Sequence, residues 1–221
     1  MINIVKKVYK KIHIIQNIFI KNKFLINKKS YAMEGEDLEI VKILKNIKDG
    51  FYVDAGGYHP LDRNNTYLLY KKNWRGINID LSEFSIDLFN FARPEDININ
   101  VAVENKDDKV TFFYQKKLSQ LTTIKKNVAN YRMQGQIMEK EIKSNKLTTI
   151  INNTKYKNRK IDFLNVDLEG ADFEALKSLD FNIYRPKLIC VEIYDEDIER
   201  SDINVFLKKL SYSKQWSATY S

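Results

Sequence analysis

The chain has 221 residues, a length that fits one domain and allows roughly 70 % of the unfolded surface to be buried. Hydrophobic residues make up 43 % and aromatic residues 12 %, whereas Gly and Pro number only 7 and 3. This composition excludes collagen-like, linker-like and wholly disordered proteins.

The formal net charge of +8 is concentrated at one end of the chain. Residues 1–30 contain 8 Lys and no acidic residue, so the remaining 191 residues carry 29 basic and 29 acidic side chains. A nucleic-acid-binding protein is expected to carry basic side chains on its folded body, so this distribution argues against nucleic acid as a partner. The single cysteine, Cys190, cannot form an internal disulfide, and we therefore expect a cytoplasmic protein.

Residues 1–30 are predicted to form a basic amphipathic N-terminal helix. Polar residues interrupt its apolar run long before about 18 residues, which excludes a transmembrane span, and no small-residue cleavage site of a signal peptide follows residues 24–26. Two interpretations stay open: an interfacial helix attracted to anionic lipid by about 1 kcal/mol per Lys, or a helix packed on the domain or on a second subunit. The pattern consists of apolar Val5, Val8, Tyr9, Ile12, Ile15 and Phe19 at helical spacing, with Lys6, Lys7, Lys10 and Lys11 mostly on the other side.

From residue 31 onward, short β-branched runs alternate with helical patterns, which predicts a mostly parallel sheet with helices on both faces. Residues 116–146 are rich in Lys, Gln and Asn, and we expect an insertion or lid there within a domain spanning residues 31–221. The expected strands are Phe51–Ala55, Gly76–Asp80, Asn98–Val103, Phe163–Asp167 and Lys187–Tyr194, with an additional strand at Thr111–Tyr114. The expected helices are Asp37–Ile47, Asn65–Lys72, Glu83–Phe91, Ala171–Leu179 and Ile203–Leu210.

A glycine turn follows the first expected strand. Gly56 and Gly57 allow a ligand to approach the backbone closely, and Asp54 just before them can accept a hydrogen bond. The turn lacks the G-x-G-x-x-G spacing of dinucleotide-binding proteins, which disfavours a pyrophosphate cradle and a nicotinamide-dependent reductase. His59 in the same turn is a candidate base, although a histidine before proline is more often a turn residue.

Acidic side chains also close two further strands, at the edge where parallel sheets bind ligands. Asp80 is placed to accept hydrogen bonds from both hydroxyls of a ribose, and Ala102 is small enough to lie beside an adenine ring. Asp167 and Glu169 follow a central strand in alternate positions, and Glu192 interrupts the apolar run of the next one. Carboxylates near an apolar core are costly unless they are paired or bind something, so this cluster predicts a functional site.

Several of these segments, in this order, resemble the FkbM family of S-adenosylmethionine-dependent methyltransferases. The resemblance implies a seven-stranded, Rossmann-like class I methyltransferase fold and O-methylation of a hydroxyl on a sugar, a glycan or a secondary metabolite. It covers about residues 30–210 and rests on SYAMEGEDL at 30–38, VDAGGYHP at 53–60, NTY at 65–67, WRGINID at 74–80, RP at 93–94 and DFLNVDLEG at 162–170.

The resemblance also implies roles for individual residues. The glycine turn and the two residues at 65 and 66 would surround the methionine part of S-adenosylmethionine, while later strand ends would hold its ribose and adenine. Asp167 and Glu169 would lie near the transferred methyl group as catalytic residues. The implied cofactor-binding residues are Asp54, Gly56, Gly57, Asn65, Thr66, Asp80, Ala102 and Asp167.

The chemistry of the carboxylates leaves two mechanisms open. Asp167 or Glu169 can act as the base that accepts the proton of a hydroxyl, or, with Glu192, they can hold a divalent cation that lowers the pKa of the acceptor. We expect the first, without a metal. The alternative functions are a membrane-docked module that binds a nucleoside cofactor without turnover and a nucleic-acid methyltransferase.

Overall fold

The computed structural model of the chain describes residues 2–194 and 197–218. The outer limits of the expected helix at residue 1 and of the expected domain at residue 221 lie outside this described part. In chain order the elements are α1 (Ile2–Ile15), which continues as a π-helical segment (Gln16–Lys21), α2 (Glu36–Ile43), β1 (Phe51–Ala55), α3 (Tyr67–Lys71), β2 (Arg75–Asp80), α4 (Glu83–Ala92), β3 (Ile97–Asn100), β4 (Ala102–Val103), β5 (Asp108–Tyr114), α5 (Lys126–Arg132), β6 (Met138–Asn145), α6 (Leu147–Asn152), β7 (Phe163–Val166), α7 (Asp172–Lys177), β8 (Leu188–Val191), a 3₁₀ turn (Ile198–Arg200) and α8 (Asp202–Lys209).

Five parallel strands form the central sheet in the order β3-β2-β1-β7-β8. The order reverses direction between β1 and β7, and this switch point is where open α/β sheets bind ligands. The mostly parallel sheet expected from the sequence is confirmed. Its strands are short and rich in Ile, Val and Phe, as expected of strands covered on both faces.

Helices cover both faces of this sheet. Successive side chains of β1 point to opposite faces, so each face contributes apolar side chains to a separate core. Phe51, Val53 and Ala55 pack in one core with apolar side chains of α6, α7 and α8. Tyr52 packs in a second core with side chains of α2 and α3. The sequence therefore forms the three-layer, Rossmann-like arrangement that the fold prediction required.

A second, smaller sheet has the order β4-β6-β5. The expected strand Asn98–Val103 is split, because β3 ends at Asn100 and Ala102–Val103 pairs with β6 instead. The side-chain amide of Asn100 donates to the carbonyls of Asp80 and Leu81, which ties the end of β3 to the neighbouring strand where the chain leaves the sheet. The seven strands implied by the family resemblance are thus not found in the central sheet of the described residues.

The segment 116–146 contains more regular structure than an insertion suggests. It includes α5 and all of β6, and β6 pairs antiparallel with β5 from Met138 to Ser144. The sequence did not indicate this strand because Glu and Lys alternate within it and most of its side chains are exposed. Across the described residues, no helix is both long enough and apolar enough to cross a bilayer.

The turn after β1 packs directly against the end of β7. Gly56 has φ +89°, and a Cβ atom on it would lie 1.7 Å from the carbonyl oxygen of Asp167. Gly57 is also crowded, with an added Cβ 2.9 Å from the Phe89 ring. These glycines serve close packing within the protein, in addition to any role toward a ligand.

We predict that Gly56→Ala destabilises the protein more than Gly135→Ala. Gly135 has nearly the same φ, +88°, but an added Cβ would meet no atom within 4 Å. The control should therefore lose only the cost of the left-handed backbone, about 1–2 kcal/mol, whereas Gly56→Ala should lose about 1–3 kcal/mol more from overpacking. Urea unfolding of both variants measures the difference, and equal losses would contradict the packing role of Gly56.

Candidate functional site

Two adjoining cavities lie at the carboxyl edge of the central sheet. The larger one, which we call the acidic cavity, has a volume of about 500 Å³ and is lined by Arg132, Asp167, Glu169, Glu192 and Tyr194, among others. The smaller one, the Asp80 groove, has about 50 Å³ and is lined by the glycine turn, Asp80 and Leu81. The two share a wall formed by Arg63, Ser119, Gln120, Asp167 and Glu169.

Asp54 lies beneath this edge, fully buried within β1. Its Oδ2 accepts hydrogen bonds from Thr66 Oγ1 at 2.7 Å and from Asn64 Nδ2 at 3.2 Å, and its Oδ1 accepts one from Asn165 Nδ2 at 2.9 Å. A buried carboxylate requires such partners. Through these hydrogen bonds Asp54 connects β1 to β7 and to the loop before α3.

Arg93 supplies the positive charge of this network, and its side chain is fully buried. The guanidinium donates to Thr66 Oγ1 at 2.8 Å, to Asn64 Oδ1 at 2.6 Å and to the carbonyl of Pro60 at 2.5 Å. The Thr66 hydroxyl in turn donates to Asp54, so it connects the guanidinium of Arg93 to the carboxyl of Asp54. The structure thus places Thr66 in the buried network, whereas Asn65 lines the acidic cavity and donates to Asn165 at 3.0 Å.

Asp80 ends β2 with its carboxylate held in place by the backbone. Its Oδ2 accepts from Tyr58 N at 2.8 Å and its Oδ1 from Ser82 N at 2.7 Å. Burial raises the pKa of Asp80 to about 6, against the lowering effect of these hydrogen bonds. A carboxylate has about four acceptor positions, so each oxygen can still accept a hydrogen bond from a ligand in the groove.

An apolar slot adjoins Asp80, formed mainly by Ile79, Val101, Val103, Ile124 and Leu168. The sequence pointed to Ala102 beside this site, and Ala102 is fully buried between the two valines. Because side chains alternate along an extended strand, Ala102 points to the opposite side from its neighbours. Val101 and Val103 are therefore the residues of this segment that a flat apolar ring would contact.

Asp167, Glu169 and Glu192 converge as the sequence predicted. One oxygen from each carboxylate lies within 4.8 Å of the others. Arg132 forms an ion pair with Glu169, and its guanidinium donates to Tyr194 Oη at 2.5 Å. The Tyr194 hydroxyl lies 2.5 Å from Glu192 and 3.1 Å from Glu169.

The pKa values of these carboxyls are raised. Desolvation within the acidic cavity and the negative charge of Glu169 raise the pKa of Asp167 to about 7. Burial and the charge of Asp167 raise the pKa of Glu192 to about 9, so Glu192 is protonated at neutral pH. Burial also raises the pKa of Glu169, opposed by the positive charge of Arg132. The cluster therefore combines two neighbouring carboxyls, Asp167 and Glu192, that together retain a proton at neutral pH, and a third, Glu169, that is ion-paired with Arg132.

These three carboxylates also have the oxygen chemistry to bind a divalent cation. Arg132, however, already supplies positive charge to Glu169. Sequence reasoning did not assign Arg132 or Tyr194 to the site. Arg132 is 37 residues from its partner and lies in a segment of weak periodicity, so only the fold brings the two together.

His59 is buried and engaged through both ring nitrogens. Leu61 N donates to Nδ1 at 3.0 Å, and Nε2 lies 2.8 Å from Asn17 Oδ1, which assigns the proton of the neutral ring to Nε2. Burial and the charge of Arg93 lower the pKa of His59 to about 3. This placement favours the interpretation of His59 as a turn residue over that of a base.

The family resemblance noted in the sequence is confirmed by a comparison with family models. The model described as the methyltransferase FkbM domain matches residues 54–214. This range begins at Asp54 and includes Asp80, the acidic cluster and the whole of the second sheet. No curated protein and no solved structure matches the chain.

We predict that Glu192→Gln stabilises the protein more at pH 8.5 than at pH 5. The native state keeps Glu192 protonated up to a pKa of about 9, whereas an unfolded glutamate ionises near its ordinary 4.5. Stability contributed by this group is therefore lost as the pH rises through this window, and Gln avoids the loss. Because solvent screens charges at this partly exposed site, we expect the change in unfolding free energy caused by Glu192→Gln to be about 1–2 kcal/mol more favourable at pH 8.5 than at pH 5.

Urea unfolding at the two pH values measures this difference, with Glu199→Gln as the control. The hydrogen bonds from Lys208 and Lys214 lower the pKa of Glu199 to about 2, so it is ionised at both pH values. The effect of Glu199→Gln should consequently be the same at pH 5 and pH 8.5. A Glu192→Gln effect that is equally independent of pH would refute the protonated state of Glu192.

Proposed function

Because the chain belongs to the family of methyltransferases with an FkbM domain, we propose that it transfers the methyl group of S-adenosylmethionine to a hydroxyl of a sugar or glycan. One observation carries the proposal. Asp167 forms part of the wall between the Asp80 groove and the acidic cavity, so a nucleoside cofactor and a polar acceptor would meet at a carboxyl.

The residues beside Asp80 fit a nucleoside. The carboxylate retains acceptor positions for the two ribose hydroxyls. The slot at Val101 and Val103 holds only about 10 Å³, so it would have to widen before an adenine ring could contact these buried apolar side chains. When bound, S-adenosylmethionine supplies an electrophilic methyl group on a sulfonium. The methionine end would lie toward Asn65 and the acidic cavity.

The segment 117–122 narrows this groove through Ser119, Gln120 and Thr122. The groove holds about 50 Å³, whereas ligand pockets have roughly 300 Å³ or more. Arg63 donates to Gln120, and Ser82 Oγ donates to the Lys117 carbonyl at 2.5 Å, and these bonds hold the segment in place. Cofactor binding consequently requires the segment to move outward.

Asp167 is the carboxyl best suited to accept the proton of the acceptor hydroxyl. Its pKa of about 7 is matched to neutral pH, where a general base is most effective. Glu169 is ion-paired with Arg132, which orients it toward the same cavity. The remaining acceleration comes from holding the hydroxyl oxygen about 3 Å from the methyl carbon, in line with the departing sulfur.

The acidic cavity favours a polyhydroxylated acceptor. Its volume of about 500 Å³ is lined by Arg63, Asn65, Gln120 and Tyr194 as well as by carboxylates. These groups donate and accept hydrogen bonds on several sides, which suits the hydroxyls of a sugar better than an apolar ring. A sugar or glycan is therefore our preferred class of small-molecule acceptor.

We predict that Asp80→Ala weakens the binding of S-adenosylhomocysteine at least about tenfold, or 1.4 kcal/mol. The variant loses the acceptors for the ribose hydroxyls. Calorimetric titration measures the affinity, and Asp108→Ala, at an exposed aspartate of β5, is the matched control. No binding to the wild-type protein would contradict S-adenosylmethionine as the cofactor, and unchanged affinity in Asp80→Ala would contradict the ribose role.

We predict that Asp167→Asn lowers turnover by about 100-fold to 10,000-fold, with S-adenosylhomocysteine affinity kept within a few fold. Asn preserves the shape of the side chain but cannot accept the proton. Transfer of a labelled methyl group to a panel of sugars measures turnover, and Asp108→Asn should retain wild-type activity. A fully active Asp167→Asn protein would exclude Asp167 as the base.

A further inference from the structure

We propose that α1 docks the protein on a lipid bilayer with anionic headgroups. The helix presents an apolar face to solvent, formed by Ile4, Val5, Val8, Ile12 and Ile15, which we call the outer stripe. These side chains are between 49 % and 68 % exposed. The proposal concerns a surface and does not depend on the proposed methyl transfer.

The opposite side of α1 packs against the rest of the domain. Lys10 Nζ lies 2.5 Å from Asp87 and 3.7 Å from Glu83, both on α4. Further along, Asn17 is hydrogen-bonded to His59, and Ile18 is fully buried. With about 100° per residue, positions 10, 14 and 17 fall on the side of the helix opposite the outer stripe.

This orientation refines the two interpretations that the sequence left open. The helix does pack on the domain, but it does so through Lys10, Ile14, Asn17 and Ile18. The amphipathic pattern that the sequence displayed is thus left facing outward. A stripe of five large apolar side chains away from the body calls for a partner.

The charge around the stripe selects an anionic partner. Lys7 and Lys11 are exposed on the flank of the outer stripe, and residues 1–30 contain no acidic side chain. Lysines at the edge of an apolar helix face can extend toward headgroups while their stems contact the apolar layer. An anionic bilayer offers both the apolar layer and the negative charge.

A second copy of the chain fits this surface less well. A two-fold symmetric contact through the outer stripe would bring Lys7 and Lys11 of one copy close to the same lysines of the other. Like charges at a buried contact are destabilising. A nucleic acid would use the lysines but leave the apolar stripe uncovered, so the bilayer is the occupant that satisfies both features.

Vesicle co-sedimentation of the full chain tests the proposal. Vesicles of phosphatidylcholine alone are compared with vesicles that also contain phosphatidylglycerol. We expect binding to the anionic vesicles at least about tenfold stronger than to the neutral ones, and weaker at high salt. If the wild-type protein binds neither kind of vesicle, or binds both equally, the proposal is overturned.

Two pairs of variants separate the contributions of the stripe and the lysines. Val8→Gln with Ile12→Gln should reduce binding at least about tenfold, whereas Val205→Gln, at an exposed apolar position of α8, should not. Lys7→Glu with Lys11→Glu should reduce binding at least about tenfold, whereas Lys126→Glu with Lys209→Glu has the same net charge and should bind like wild type. Unchanged binding in either stripe or lysine variant would refute the assigned surface.

Sedimentation velocity without lipid tests whether a second copy of the chain, and not a bilayer, covers the outer stripe. A dimer that dissociates in the Val8→Gln, Ile12→Gln variant, with no vesicle binding by the wild type, would assign the stripe to a second copy and overturn the lipid proposal. Thermal unfolding verifies that the variants are folded. These side chains are exposed, so the midpoints should remain close to that of the wild type.

Discussion

The buried carboxylate of Asp54 is the constraint on which the arrangement of the edge depends. A carboxyl group inside a sheet is stable only when its oxygen atoms are hydrogen-bonded, and leaving a buried polar group without its partner costs about 1–3 kcal/mol. Thr66, Asn64 and Asn165 meet that requirement, and Arg93 supplies the counter-charge. The loop before α3, the end of β1 and the middle of β7 are therefore fixed relative to one another before any ligand arrives.

The acidic cluster, which begins two residues after Asn165, lowers the stability of the fold but provides carboxyls suited to proton transfer. The acidic cluster keeps its carboxyls crowded and partly removed from water, which raises the pKa values of Asp167 and Glu192. Active sites often accept such destabilised groups because a raised pKa prepares a carboxyl for proton transfer. The hydrogen-bonded network beneath the site and the crowded carboxyls above it are adjacent in the chain, because Asn165 lies in β7 and Asp167 directly follows that strand. The stabilising hydrogen bonds around Asp54 thus hold in place the strand that positions the crowded carboxyls.

Much of the central sheet could be predicted from the sequence, because apolar β-branched runs and strand-terminal acids are local signals. The convergence of Asp167, Glu169 and Glu192 followed from their positions at neighbouring strand ends. Other features were not local. β6 carries alternating Glu and Lys and no apolar face, and Arg132 reaches Glu169 only through tertiary folding. At Ala102 the prediction stays untested as an adenine contact, and the alternation of an extended chain puts Val101 and Val103, not Ala102, on the side of the slot.

The segment that covers the Asp80 groove has a kinetic consequence. Ser82 Oγ holds the Lys117 carbonyl, and Arg63 holds Gln120, so the covering segment must release these bonds before a large ligand enters the groove. Loop motions of this kind take nanoseconds to microseconds, and lid opening takes microseconds to seconds. Association with the groove is then a two-step process, and its observed rate levels off at high ligand concentration at the rate at which the segment opens.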